Sequence, residues 1–262
     1  MTSMEIEIDY TKSAHENAGD YYNRAKRLLQ KREGAMRAIK DLEKALTEAE
    51  KKAAQREERK VINTKREWYE SFHWFRTSEE MLAIGGRDAQ QNELINSRYF
   101  TDADLFFHAD IFGASVCILK DGAKAGGRSR EETAHFAACY SSAWKGGHGT
   151  VDVYAMRREQ VSKSTGKGSL GTGSFLLKGE REWHRNIPLK LVFFMKEGVM
   201  NVAPGITAER IGMEGPRAEV SQGDKKKSDA AKQVAGIIGC QDLDYIMRQL
   251  PPDGGFNVSK GG

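Results

Sequence analysis

The sequence predicts an α+β protein in which an N-terminal helical coiled-coil arm is followed by a mixed sheet packed with helices. A proline-free, highly charged stretch from Ala14 to Arg66 predicts the helical arm. Five aromatic side chains between Trp68 and Phe75 have too much apolar area to remain in water, so a globular domain is expected to begin there. Short alternating apolar runs and longer amphipathic runs then follow one another, which predicts both strands and helices.

The arm combines an apolar seam with a basic surface. Alternating steps of three and four residues, typical of a coiled coil, connect Leu28, Ala35, Ile39, Leu42, Leu46, Ala49 and Ala53, with Arg32 as the one polar position in the series. Residues 1–66 hold 16 Lys and Arg against 12 Asp and Glu, so the arm carries the whole net charge of +4. Such a charged run is compatible with a solvated coiled-coil face and with an arm that lies along phosphates.

The globular part is predicted element by element. Strands are expected at MLAIGG, DLFFHAD, ASVCILK, VDVYAMRREQV and SFLLKG. Helices are expected at QQNELINSRYF, with Asp88 as its cap, and at GGRSREETAHFAACYSSAW, with Ser129 as its N-cap. Further strands are predicted in PLKLVFFMKEGVMNVAP and ERIGMEGPRAEVSQG, a helix with Asp229 in its first turn in KKKSDAAKQVAGIIG, and a loose tail in PPDGGFNVSKGG.

These elements suggest three segments: a basic coiled-coil arm (1–66), a central α+β domain (67–195) and a small strand and helix extension with a loose tail (196–262). Three widely spaced cysteines suit reduced thiols better than a disulfide framework. The N-terminus has no signal-peptide pattern, and no window is apolar enough for a membrane helix. We therefore expect a cytoplasmic protein that does not contact a membrane.

A lysine-bearing glycine loop is the main candidate for anion binding. Glycines at positions 166, 168, 171 and 173 would let backbone amides approach an anion, with Lys163, Lys167 and Lys178 beside them. An ordinary flexible hairpin loop explains the same residues equally well. The segment matches neither a P-loop nor a dinucleotide fingerprint, so no cofactor is predicted.

A metal-dependent nucleic-acid-processing enzyme is the alternative. It would use His108, Asp110 and His135, and Cys139 lies four residues after His135 on a predicted helix. A hydrogen-bonded core histidine and a buried thiol explain these residues more simply. We therefore predict no catalytic residue and no bound metal.

Six sequence blocks, in order, resemble the NFACT-R domain of nuclear export mediator factor and FbpA-like proteins: EWYESFHWF, IGGRDAQQNE, FFHADIFGAS, CYSSAW, EQVSK and GTGSFLLKG. The likeness covers roughly residues 9 to 195. It implies a non-catalytic RNA-binding component of ribosome-associated quality control that binds large-subunit RNA and tRNA on stalled ribosomes. The family's N-terminal domain has no counterpart here, so we expect a fragment or a partner of a separate N-terminal NFACT protein or coiled coil, without peptide tailing of its own.

The resemblance also assigns residues. Those that would contact RNA are Arg87, Gln91, Asn92, His108, Asp110, Ser162, Lys163, Lys167, Ser174 and Lys178. Those that would shape turns are Gly85, Gly86, Asp88, Gly113 and Gly173. Cations suit phosphates, amides and hydroxyls suit backbone or base edges, and nearby aromatics suit stacking.

Overall fold

A computed structural model describes residues 5–61, 67–165, 168–212 and 215–261 of the chain. Contacts between Cα atoms divide the chain into two units, Met1–Arg66 and Glu67–Gly262. The boundary between the two units therefore falls at the start of the aromatic cluster. The predicted further boundary after residue 195 stays a prediction.

The first unit contains one long helix, α1 (Ala14–Val61), of 48 residues. Ser13 caps its start, because Glu16 N donates to Ser13 Oγ and Ser13 N donates to the Glu16 carboxylate at 2.8 Å. The predicted helix is confirmed to Val61, and residues 62–66 lie outside the described part. The larger seam residues are all exposed on this chain: Leu28, Ile39, Leu42 and Leu46. The side chains of Ala49 and Ala53 lie outside the described residues, and pairing of the seam stays a prediction.

The second unit contains fourteen described strands and five described helices. The strands are β1 (His73–Arg76), β2 (Leu82–Gly85), β3 (Leu105–Ala109), β4 (Cys117–Leu119), β5 (Thr150–Arg157), β6 (Val161–Ser162), β7 (Ser164–Thr165), β8 (Gly168–Ser169), β9 (Leu176–Leu177), β10 (Glu182–Pro188), β11 (Lys190–Lys196), β12 (Val199–Pro204), β13 (Arg217–Lys225) and β14 (Phe256–Lys260). The helices are α2 (Ala89–Leu94), α3 (Gly127–Cys139), α4 (Gly205–Arg210), α5 (Lys227–Ile238) and α6 (Leu243–Gln249). A π-helical turn at Ile95–Tyr99 continues α2.

The strands form a six-stranded sheet in the order β1-β2-β4-β3-β5-β10 and a four-stranded sheet in the order β12-β11-β13-β14. All pairs within both sheets are antiparallel. Two short ladders, β6 with β9 and β7 with β8, organise the glycine loop. The α+β class is thus confirmed.

The six-stranded sheet buries both of its faces. Side chains alternate along β3, so that Phe107 joins a core with α3 and the four-stranded sheet, whereas Phe106 joins a separate aromatic core. We call the surface built over this second core the motif face. Its buried side chains are Phe72, Ile84, Ile95, Phe100, Phe106, Val116, Ile118, Tyr154, Met156 and Val161.

Three predictions about elements are wrong. Helix α3 begins at Gly127, and Ser129 is a buried residue within it whose Oγ donates to Glu79 and lies 3.0 Å from Thr77 Oγ1. The segment ERIG, predicted as strand, contributes to α4 and the turn after it. The tail is not loose, because β14 pairs with β13 and Phe256 is fully buried.

Among the described helices, including the long α1, none is both long enough and apolar enough to cross a membrane.

Candidate nucleic-acid interface

The turn after β2 requires a glycine at position 86. A Cβ on Gly86 would lie 2.2 Å from Asn92 Oδ1 and 2.9 Å from Asn92 N. The same Asn92 Oδ1 accepts a hydrogen bond from Val116 N at 3.1 Å, and Gly86 N donates to Val116 O at 3.0 Å. Gly85 is also close-packed, because its Cβ would lie 3.0 Å from Cys117 Sγ. The buried Asn92 amide therefore holds α2 against β4, which is a structural role.

Asp88 caps α2 as predicted. Its Oδ1 accepts from Gln91 N at 2.8 Å. Gln91 Oε1 accepts from Arg87 N at 3.1 Å, and Gln91 Nε2 donates to Ser71 O at 3.1 Å. Arg87 Nη2 donates to Phe72 O at 2.9 Å. Arg87 and Gln91 thus attach the start of α2 to the aromatic segment at the start of the domain.

The glycine loop folds onto α2 through Lys163. Its ammonium forms an ion pair with Glu93 and donates to Gly171 O at 2.7 Å and Ser174 O at 3.3 Å. Gly173 N donates to the same Glu93 carboxylate at 3.1 Å, and a Cβ on Gly173 would lie 2.9 Å from the Ala89 Cβ. Gly173 also has φ +77°, in the region that favours glycine. The first and last motifs, far apart in sequence, are therefore in contact.

We expect a coupling energy of about 1 kcal/mol between Lys163 and Glu93, the value for a well-formed pair that remains partly exposed. Hydrogen bonding to Lys163 lowers the pKa of Glu93. This stabilisation should therefore be present above the ordinary pKa of glutamate and disappear as pH falls through the lowered pKa. A double-mutant cycle of Lys163→Met and Glu93→Gln, measured by urea unfolding at neutral and acidic pH, tests this. Equal coupling at both pH values would contradict it.

The remaining loop residues differ in their accessibility. Lys178 and Ser174 are exposed, and Lys178 N donates to Gln160 O at 2.9 Å. Ser162 Oγ accepts from Ser164 N at 3.1 Å, which closes a local turn. Lys167 lies outside the described residues. Among the described lysines of this loop, Lys178 thus has an exposed side chain that forms no ion pair within the chain. The Lys163 side chain instead holds the loop against α2.

His108 and Asp110 stand where β3 ends. The His108 Nδ1 lies 3.2 Å from the Tyr154 hydroxyl, and its ring is parallel to that of Phe106. Burial lowers the pKa of His108, so its neutral form is favoured. Asp110 is exposed, with its carboxylate 3.8 Å from Arg181 Nη1. Gly113, at φ +81°, occupies the loop that follows.

Sequence reasoning missed a row of arginine and aromatic side chains along the edge strand β10. The Arg181 guanidinium lies 4.4 Å from the ring centre of Tyr154, and the Arg185 guanidinium 3.9 Å from that of Trp183. Arg185 also pairs with Asp152 at 2.6 Å. The sequence pattern that could have predicted this row is the alternation of Arg181, Trp183 and Arg185, because alternate residues of a strand lie on the same face.

Aromatic contacts connect these parts across the motif face. The Lys163 ammonium lies 5.2 Å from the ring centre of Phe175, and Phe175 contacts Phe106. Phe106 stacks beside His108, which contacts Tyr154, and Tyr154 contacts Trp183. The glycine loop, His108 and β10 therefore share one surface. The Arg87 guanidinium lies apart from them, since it lines a cavity with His73, Lys227 and Arg248.

The residues of the proposed metal enzyme are not brought together. The His108 side chain lies on the same face of β3 as Phe106. His135 lies on α3, which packs against the other face of the sheet, the one that carries Phe107. Burial raises the pKa of the Cys139 thiol to about 12, and its Sγ donates to Lys190 O. Across the described ranges, no three His, Cys, Asp or Glu side chains form a group that could hold a metal ion.

Comparisons with known proteins identify the central segment. Residues 71–179 match the family described as NFACT protein RNA binding domain. The archaeal Rqc2 homolog aRqcH of Methanocaldococcus jannaschii is 35% identical over 211 residues, covering 77% of this chain and 31% of that protein. The ribosome quality control complex subunit NEMF homolog of Drosophila melanogaster is 36% identical over 205 residues, covering 73% of this chain and 20% of that protein.

A third relative, ribosome quality control complex subunit 2 of Schizosaccharomyces pombe, is 29% identical over 254 residues, covering 94% of this chain and 24% of its own length. The chain thus spans about a third or less of the length of these relatives. The resemblance found in the six sequence blocks is confirmed. Residues 71–179 belong to the NFACT-R family.

Proposed function

We propose that this chain is a non-catalytic RNA-binding component of ribosome-associated quality control, which binds large-subunit RNA or tRNA on stalled ribosomes. The relatives named as ribosome quality control proteins support the pathway, and the family described as an RNA binding domain supports the ligand. A separate N-terminal NFACT protein or a coiled-coil partner completes the assembly in this proposal.

The observation that carries the proposal is that the glycine loop, His108 and β10 share the motif face with exposed cations, whereas the Arg87 guanidinium lies apart from them. Lys178 is exposed, and Arg181 and Arg185 keep about a third to a half of their side-chain surface in solvent. Guanidinium groups that stack on aromatic rings present their N–H groups in a fixed plane, which suits phosphate oxygens. His108 and the aromatic rings beneath them give this surface a rigid base.

In this arrangement the motif residues have two kinds of role. Lys178, Arg181 and Arg185 contact phosphates, and Ser174 and Asp110 contact the sugar or base edges. Asn92, Gln91 and Lys163 set the shape of the surface, because they are buried or half-buried and hydrogen-bonded within the chain. Arg181 and Arg185 pair with Asp110 and Asp152 but remain exposed, so phosphate oxygens can reach them. Of the three predicted phosphate contacts, the proposal thus keeps Lys178 and replaces Arg87 and Lys163 by Arg181 and Arg185.

Neutralising Lys178 and Arg181 together should weaken RNA binding and its dependence on salt. Every phosphate that a side chain no longer neutralises reduces the slope of log K against log salt by about 0.7 to 0.9, so the slope of the double variant Lys178→Gln, Arg181→Gln should fall by about 1.4 to 1.8. Filter binding to large ribosomal subunits and to tRNA at several salt concentrations measures both quantities.

The matched control is Lys196→Gln, Lys260→Gln, which removes the same charge from exposed positions on the four-stranded sheet. Equal slopes for the two double variants would overturn the assignment of this surface. Co-sedimentation with ribosomes that survives RNase treatment would instead indicate an adaptor that binds only protein.

A further inference from the structure

A basic cavity of about 620 Å³ lies where the family segment meets the C-terminal helices. Arg87, from the GGRD turn, lines it together with Lys227, at the start of α5, and Arg248, in the last turn of α6. A turn of the family segment and the two C-terminal helices therefore place cationic groups around one space.

The protein balances only part of the positive charge of this cavity. Asp244 is the one carboxylate among its lining residues. In the part of the chain that is described, Arg87, Lys227 and Arg248 form no ion pair. Burial is the main cause of the lowered pKa values of Arg87 and Lys227. Arg248 adds to the shift of Arg87, and Arg87 adds to that of Lys227, whereas Asp88 and Asp253 oppose the two shifts.

Two buried donors next to the cavity also lack acceptors. Arg87 Nε and Gln249 Nε2 have no hydrogen-bond partner among the described residues. Gln249 is 2% exposed, and its Oε1 lies 3.4 Å from His73 Nδ1. Burial lowers the pKa of His73 to about 3, so this ring is neutral at physiological pH and adds no charge. Unpartnered buried donors are rare, and each one calls for an acceptor.

The lining also includes the apolar side chains of Met247, Leu250 and Pro252. A cavity of this volume is within the range of small-molecule sites. The combination of cationic groups with apolar side chains fits a ligand that has both a phosphate and a ribose or base. Inorganic phosphate alone would leave the apolar side chains without a contact.

We propose that this cavity binds a single nucleotide through its phosphate, with Arg87, Lys227 and Arg248 around the phosphate and Met247, Leu250 and Pro252 against the base or ribose. The nucleotide is either free or one unit of an RNA chain. The RNA case rests on the function proposed above, whereas the free-nucleotide case stands without it. In the RNA case, the cavity holds the nucleic acid at a second place besides the motif face.

Adenosine 5′-monophosphate is the probe for the test, with adenosine and inorganic phosphate as comparisons and a single-stranded oligoadenylate RNA as the polymer. Arg248 is the residue to change, because it is exposed and its contacts, a hydrogen bond from Nε to Asp244 O and a place over the Tyr245 ring, are within its own helix. Calorimetric titration of the full chain should show binding of the monophosphate. Arg248→Glu should weaken it at least about tenfold, as expected when a charged hydrogen bond is removed, and Arg248→Gln should act in the same direction.

Lys196→Glu is the matched control, since it makes the same change of charge at an exposed position that does not line the cavity. If Arg248→Glu binds oligoadenylate more weakly than Lys196→Glu does, the ligand of the cavity is a nucleotide of an RNA chain. If Arg248→Glu weakens only the binding of the monophosphate, the ligand is a free nucleotide. Equal binding of adenosine and its monophosphate, or equal affinities in Arg248→Glu and Lys196→Glu, would overturn the proposal. Oligoadenylate binding without any binding of the monophosphate would overturn it too, while leaving the proposed function in place.

Discussion

Gly86→Ala is expected to lower the free energy of unfolding by about 3 kcal/mol, at the upper end of the cost of overpacking. The added methyl group would lie 2.2 Å from Asn92 Oδ1 and 2.9 Å from Asn92 N, so a side chain and the backbone of α2 would both have to move. The movement would also take the acceptor away from Val116 N, which is buried beside it. Urea unfolding followed by tryptophan fluorescence measures the decrease.

The matched control is Gly236→Ala, in the interior of α5, where a Cβ would meet no atom within 4 Å. Alanine has the higher helix propensity, so this variant should gain up to about 1 kcal/mol. Decreases of similar size in both variants would show that the close approach of Gly86 to Asn92 is not the cause.

Phe256→Ala should cost about 4 kcal/mol, the usual effect of truncating a buried phenylalanine. Phe256 is fully buried, its ring centre is 5.8 Å from that of Trp144, and the strand that carries it pairs with β13. Trp144 Nε1 donates to Gly255 O at 3.1 Å, so loosening this end should also change the fluorescence of that indole. Chemical unfolding and the emission spectrum give two independent readouts.

Asn257→Ala is the control for this variant, because the neighbouring side chain points to solvent from the same strand. A surface change of this kind should stay within about 0.5 kcal/mol of the unchanged protein. A decrease of less than about 1 kcal/mol for Phe256→Ala, against the value usual for a buried ring, would mean that the tail is only loosely docked.

Local patterns predicted most of the fold, and the errors occurred where distant partners decide the structure. The charged, proline-free arm and the alternation around Phe107 are local signals. The tail failed as a prediction because PPDGG is typical of a loop, while the strand after it is fixed by β13, which lies more than thirty residues earlier. Strand β10 was missed because an edge strand can carry charged residues at most positions, as EREWHR does. Ser129 resembled a helix cap, but Glu79 and Thr77 provide its partners from another segment.

The candidate site divides in the same way. Asp88 could be predicted as a cap because capping depends on residues two or three positions away. The pairing of Lys163 with Glu93 joins residues 70 positions apart, so the sequence left a phosphate cradle and a plain loop equally open. Lys227 and Arg248 lie outside the resemblance to the family, and only the fold brings them next to Arg87.

Strand β11 has a practical consequence for anyone who shortens this protein. It runs from Lys190 to Lys196 and lies between β12 and β13, so both of its backbone edges are hydrogen-bonded to segments that follow it. A fragment that stops at residue 195 would leave Leu191, Val192 and Phe193 on a strand with both edges open, which invites aggregation. Expression plasmids for biophysical work should therefore extend through Lys260.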